Sequence, residues 1–181
     1  KVAKDCKKEL KTLGVDATKL AKVKPPFPRI TYKKAIEILK KDGMKVKAGK
    51  DLRTLEERQL MTHYSKPLIV THYPKGAMAF YKRRDPKDPK VAMCLDVLLP
   101  SGTEVIGGSE RDLDIKEMKK VLKATGEDIK DYEWYFDTRR YGAIPHSGFG
   151  LGTDRLVQWI CGLKDIKDAI PFPRTPTRCY P

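Results

Sequence analysis

At 181 residues and 40% hydrophobic, the chain can bury the core of one domain, which excludes the disordered and fibrous classes. No window approaches eighteen apolar residues and no signal-peptide pattern opens the sequence, so a helical membrane span is excluded and a cytoplasmic protein is expected. The formal charge of +14 fits either a polyanionic partner, nucleic acid first, or a solvated lysine-rich surface.

In chain order, residues 1–13 read as a basic helix with a thin apolar stripe of Val2, Leu10 and Leu13. Lys24–Pro28 is a stiff connector, because each proline fixes φ and removes a donor. Thr31 can cap a helix carrying Ala35, Ile36, Ile38 and Leu39, which Gly43 ends. Thr54 and Glu57 have capping-box spacing for a helix to about Tyr64. Strands are expected at Pro67–Thr71, Ala77–Lys82, Val91–Leu99 and Thr103–Ile106, the last running into Gly107-Gly108. Asp114 opens a helix that stops near Gly126, and 127–138 is helical too. A strand at Ser147–Leu151 leads into a final helix starting at Thr153 or Asp154, with Leu156, Val157, Trp159, Ile160 and Leu163 on its apolar side. Neighbouring strands with short connections, and helices before and after them, predict an α+β domain built on an antiparallel sheet. The cysteines Cys6, Cys94, Cys161 and Cys179 match no zinc framework, and reduced thiols are expected. His63, His72 and His146 form no ligand ladder.

Two segments carry chemistry. Gly148, Gly150 and Gly152 alternate, which leaves one strand face without side chains. A purine ring could lie on that strip; close packing under a helix explains the glycines equally well. The helix that follows points its free N–H groups there, and Arg155 in its first turn adds a planar cation suited to phosphate. The GxGxG spacing and the lack of GK[ST] exclude a Rossmann fingerprint and a P-loop. The second segment holds Asp96 and Glu104 on two apolar strands. A carboxylate inside an apolar strand is costly unless a cation or donor meets it; a shared Mg²⁺ and salt bridges to the abundant Lys and Arg are the two readings. Gly107-Gly108 admits a ligand to the backbone, and Arg111 can grip a small polar substrate bidentately.

Together these segments resemble the class II aminoacyl-tRNA synthetases. Gly148–Arg155 is similar to the family's motif 3, and Glu104–Arg111 to the acidic-strand motif of its aspartyl/asparaginyl branch. Pro28–Tyr32, Arg140-Tyr141-Gly142 leading to Pro145–Gly148, and Phe172–Pro176 favour the asparaginyl side. The resemblance runs from about residue 4 to the end. It implies the C-terminal portion of a catalytic domain spanning 1–181, with motif 1, motif 2 and the anticodon-binding barrel preceding residue 1 and the sheet incomplete on its N-terminal side. It implies ATP and Mg²⁺ as cofactors, asparagine (or aspartate) as substrate, tRNA(Asn) as partner and a homodimer in the full-length protein.

Carried over by residue, Arg155 would hold the γ-phosphate, with Gly150 and Gly152 beneath the adenine and Thr153 and Asp154 in the same ATP-binding stretch. Glu104 would bind Mg²⁺ with Asp96 nearby, while Arg111, with Gly148 beside it, would hold the amino acid's side chain. His146 would either touch phosphate or be a hydrogen-bonded loop histidine. The sequence departs from the family pattern at Asp154, where Glu is usual, and at Gly107, where aspartyl relatives can place a Ser metal ligand. It departs again at Met78, where asparaginyl relatives often carry a basic side chain. Two other readings keep the fold: a paralogue that makes asparagine from aspartate and ammonia, and a non-catalytic basic RNA-binding module.

Overall fold

The computed structural model describes residues 1–180. Its centre is a five-stranded sheet in the order β1 (Arg29–Thr31), β2 (Leu68–Thr71), β3 (Cys94–Leu99), β4 (Thr103–Glu110), β5 (Ser147–Leu151). The α+β class holds, with one correction: the sheet is mixed. β1 runs parallel to β2, and every later pair is antiparallel. β1 went unread as a strand because it has three residues, both end residues exposed, and gains its pairing only from β2.

One sheet face is covered by two helices. Thr31 caps α4 (Tyr32–Lys41) through the Lys34 N–H, and its Ala35, Ile36 and Leu39 pack with Leu60 and Met61 of α5 (Thr54–Met61). Both helices bury Leu68, Val70 and Leu98 of that face, which is the main core. A second cluster joins Met118 and Leu122 of α6 (Ile115–Thr125) to Phe136 of α7 (Glu133–Arg140), with Phe80, Tyr132 and Tyr135 against it. The Asp114 carboxylate accepts the Lys116 and Glu117 N–H groups at 2.8 and 3.2 Å, so Asp114→Ala is expected to cost about 1 kcal/mol. A melting temperature lower by about 2–4 °C would register it. The last helix, α8 (Thr153–Ile160), follows β5 with Gly152 as its N-cap, and no helix among the described residues is long and apolar enough to cross a membrane.

Four local expectations are corrected. Residues 1–13 form two short helices, α1 (Val2–Asp5) and α2 (Lys7–Thr12), broken at Cys6; α3 (Ala17–Ala21), capped by Asp16, follows unforeseen. The α5 capping box sits one residue early: the Arg53 N–H donates to Glu56 at 2.8 Å, which releases Glu57 from capping. Ala77–Lys82 is not a strand; Lys75–Ala77 is a 3-10 turn, and the Lys75 ammonium occupies the carbonyls of Phe80 and Lys82 that a ladder would need. β3 starts at Cys94, with Val91 in an isolated bridge to Pro74, while β4 continues through both glycines to Glu110.

Two backbone features aim the site. Between β3 and β4 the register passes from Val97–Ile106 to Leu98–Glu104, leaving Val105 as an extra residue. Such a bulge re-aims the side chains beyond it, and here it turns Glu104 to the face that carries Asp96. The turn before β4 is held by α5: Gly102 has φ +73°, and a Cβ there would stand 2.5 Å from the Arg58 Cα. No larger residue lets α5 approach the turn so closely.

Candidate active site

The cross-strand register lines up Asp96, Gly107 and Gly150 on one face, continuous with the helix-covered core. Where α4 and α5 stop, that face is open. A cavity of about 310 Å³ lies there, lined by Asp51, Tyr81, Lys82, Asp96, Glu104, Gly107, Gly108, Arg111 and Gly150. Asp96, Glu104, Arg111 and Gly150 from the sequence reading thus meet in one place.

The glycines create the room. A Cβ on Gly107 would lie 2.7 Å from Glu104 Oε1 and 3.4 Å from Asp96 Oδ1, so the missing side chain is what lets the two carboxylates converge. A Cβ on Gly148 would lie 2.7 Å from Arg111 Nη2. Among the described residues nothing stands within 4 Å of the Cβ position on Gly150, which leaves a bare patch of strand facing solvent. Phe149, between them, points to the opposite face and is 71% exposed.

Arg111 is held from two sides: its Nη1 donates to Ser109 Oγ at 2.8 Å, and its guanidinium stacks 4.8 Å over the Tyr81 ring. At the rim, Arg155 Nη1 donates to the Glu104 carbonyl at 2.7 Å and lies 3.6 Å from its Oε2. Gly152 lets this arginine lie close, its Cβ position being 3.3 Å from Arg155 Cδ. Six expected residues are not among those lining the cavity: Gly148, Gly152 and Arg155 stand beside it, and Thr153, Asp154 and His146 bring no side chain to it. Thr153 and Asp154 are exposed in the first turn of α8, and the His146 ring is engaged with the Ile144 carbonyl at 2.8 Å. His146 contributes through its backbone, where its carbonyl accepts the Arg111 N–H at 3.0 Å.

Sequence reading missed Asp51, Glu57, Tyr73, Tyr81 and Lys82. Burial pushes the Asp96 carboxyl up to about 6; the Tyr73 hydroxyl opposes that shift, Glu104 adds to it and Lys82 opposes it. Burial also pushes Glu57 up to about 7, reinforced by Glu104, Asp96 and Asp51 and opposed by Arg155. The only local hint of Glu57 was a second acidic residue at the start of α5; its burial against the site is a tertiary fact.

Both carboxyls bind a proton more tightly when folded, so their stabilising contribution is complete below the unfolded values of 3.8 and 4.5 and is lost as pH rises through about 6 and about 7. Glu57→Gln removes one of these charges and is expected to flatten the decline. Thermal melting of parent and variant across about pH 4 to 8 measures it, and parallel curves would rule Glu57 out as the titrating group.

Asp96 and Glu104 present hard oxygen donors side by side. No group of three or more metal-binding side chains occurs among the described residues, and two carboxylates with substrate phosphates is the arrangement Mg²⁺ commonly takes. The donor set therefore fits that ion.

The family model described as tRNA synthetases class II (D, K and N) matches residues 1–176. The asparagine–tRNA ligase of Pyrococcus abyssi is 48% identical over 176 residues, which is 97% of this chain and 41% of that protein. The crystal structure of asparaginyl-tRNA synthetase from Pyrococcus horikoshii complexed with asparaginyl-adenylate superimposes with a TM-score of 0.91 at 48% identity, over 97% of this chain and 41% of that one. The Entamoeba histolytica asparaginyl-tRNA synthetase, also with asparaginyl-adenylate, gives 0.87 at 31% identity, over 99% and 42%. The chain spans about two fifths of the length of the curated relatives it matches.

Proposed function

We propose that this chain, which belongs to the class II tRNA synthetases of the D, K and N group, forms the nucleotide and amino-acid wall of a site that activates asparagine with ATP. The observation that carries the reading is the convergence of Asp96, Glu104, Arg111 and Gly150 on one cavity, with Arg155 at its rim. The 48% identity to an asparagine–tRNA ligase supports asparagine over aspartate.

In the proposed reaction the asparagine carboxylate attacks the α-phosphorus in line, forming asparaginyl-adenylate and releasing pyrophosphate; a hydroxyl of tRNA(Asn) then takes the asparaginyl group and AMP leaves. Such chemistry runs on positioning and charge neutralisation. The bare backbone at Gly150 takes the flat base, and Arg155 neutralises the far phosphates. Arg111, already stacked and hydrogen-bonded, offers its remaining N–H groups to the asparagine side chain. Asp96 and Glu104 would hold Mg²⁺, which neutralises phosphate charge when bound. A homodimer in the cytoplasm belongs to the same proposal.

The test is ATP–pyrophosphate exchange by the gene product that carries this chain. Asparagine is expected to support exchange at least about tenfold better than aspartate. Faster exchange with aspartate would reassign the substrate. Free asparagine formed from aspartate and ammonia would replace the ligase by a synthetase of the amino acid.

A further inference from the structure

The cavity holds two cations, and only Arg111 has a role so far. The second, Lys82, is half-buried and lines the cavity beside Arg111, to which its backbone is joined by an isolated bridge. Among the described residues no carboxylate lies within ion-pair distance, 4.0 Å, of its ammonium. Among the described residues its one side-chain hydrogen-bond acceptor is the Met78 sulfur at 3.3 Å, a weak one. A half-buried ammonium with no ion-pair partner within 4.0 Å, attracted by Asp96 only at longer range, is open to an anionic group of a ligand.

Its backbone is nevertheless fixed. The Lys75 ammonium, on a residue only 3% exposed, donates to the Lys82 carbonyl and, at 3.3 Å, to the Phe80 carbonyl. Phe80 is wedged edge-on between Tyr132 and Tyr135, at 4.9 and 5.5 Å between ring centres. Tyr81 lies under Arg111. A buried cation, an aromatic cluster and a stacked arginine thus hold three consecutive residues whose last side chain is an unpaired charge. Preorganisation of this kind keeps a polar group ready for a ligand.

The charges say which ligand group. The cavity is also lined by Asp51, Asp96 and Glu104. A free amino acid brings an ammonium, which Asp51 can receive while Asp96 and Glu104 hold the proposed metal, and a carboxylate, which needs a cation. Arg111 lies over the Tyr81 ring with one nitrogen committed to Ser109, and its remaining N–H groups are those already assigned to the side-chain oxygen of the substrate. Lys82 is a compact charge on a flexible stem and can follow an oxygen that moves. We infer that the Lys82 ammonium receives the α-carboxylate of the amino acid bound in this cavity, an inference that rests on the amino-acid site proposed above.

The experiment is calorimetric titration of the protein with asparagine and with asparaginol, which carries a hydroxymethyl group in place of the carboxylate. Lys82→Met is expected to weaken asparagine about tenfold or more and to leave asparaginol unchanged, while Lys82→Arg retains most of the asparagine affinity. An unaltered melting temperature for Lys82→Met accompanies this result. Equal losses for both ligands, or no loss for either, overturn the assignment of Lys82 while the amino-acid site stands. A parent protein that binds neither asparagine nor ATP overturns the site itself, and the role of Lys82 with it.

Discussion

Arg155→Ala is expected to lower asparagine-dependent pyrophosphate exchange by about 10²–10³-fold, with the melting temperature nearly unchanged. The two effects separate because of where the guanidinium sits. Its side chain is 45% exposed, and its partner Glu104 is 37% exposed, so their ion pair contributes at most about 1 kcal/mol. The hydrogen bond to the Glu104 carbonyl is equally open to water. Loss of the arginine therefore does little to the fold. In the proposed site the same group is the one permanent cation at the end of the glycine strand, where triphosphate charge would lie. Removing a charged donor from a developing negative charge costs about 3–4 kcal/mol. Arg155→Lys is expected to recover only part of the activity, since an ammonium keeps the charge and loses the planar fork. Exchange kinetics and thermal melting on the same preparations decide the matter. Stability and activity lost together would make Arg155 a clamp for Glu104, and unchanged exchange would remove it from the nucleotide site.

The parts of the site that were legible in the sequence are those whose geometry is local. Alternation alone puts Gly148 and Gly150 on one strand face, and the structure keeps them there. A helix start directly after a strand fixes where Arg155 stands relative to Gly152. Asp96 and Glu104 were recognisable as carboxylates in apolar strands, but their meeting depends on the Val105 bulge, and strand register is settled between segments. Without that bulge, simple alternation would send Glu104 to the face opposite Gly107. Lys82 was hidden twice: it lies in a segment that reads as a strand, and the buried Lys75 that prevents the strand looks in sequence like one more surface lysine. Glu57 stands on α5, which rests against the turn before β4 at Gly102, and Asp51 reaches the cavity from the loop before that helix; both placements are tertiary. The parallel pairing of β1 was equally out of reach, since three residues carry too little pattern to show a direction.

The second large effect is expected at Gly148, a residue that makes no polar contact of its own in the proposed reaction. A Cβ there would lie 2.7 Å from Arg111 Nη2, 3.1 Å from Nε and 3.3 Å from Cζ, so the whole guanidinium plane is in the way. A free arginine tip could swing aside at little cost. This one cannot move without giving up the Ser109 hydrogen bond or the Tyr81 stacking that aims it. The backbone itself accepts alanine: Gly148 has no positive φ and sits within β5. Gly148→Ala is therefore expected to fold normally and to raise KM for asparagine about 10–100-fold, with KM for ATP little changed, as misplacement of a substrate-positioning group by about 1 Å would do. Gly150→Ala is the matched control, two residues along the same face. Its methyl would meet nothing within 4 Å among the described residues, so an effect is expected from the ligand that covers the strip. For that variant KM for ATP is expected to rise while KM for asparagine holds. Steady-state kinetics with each substrate varied in turn would show this crossed pattern. The same change in both constants for both variants would mean that the strand, rather than two separate binding surfaces along it, had been damaged.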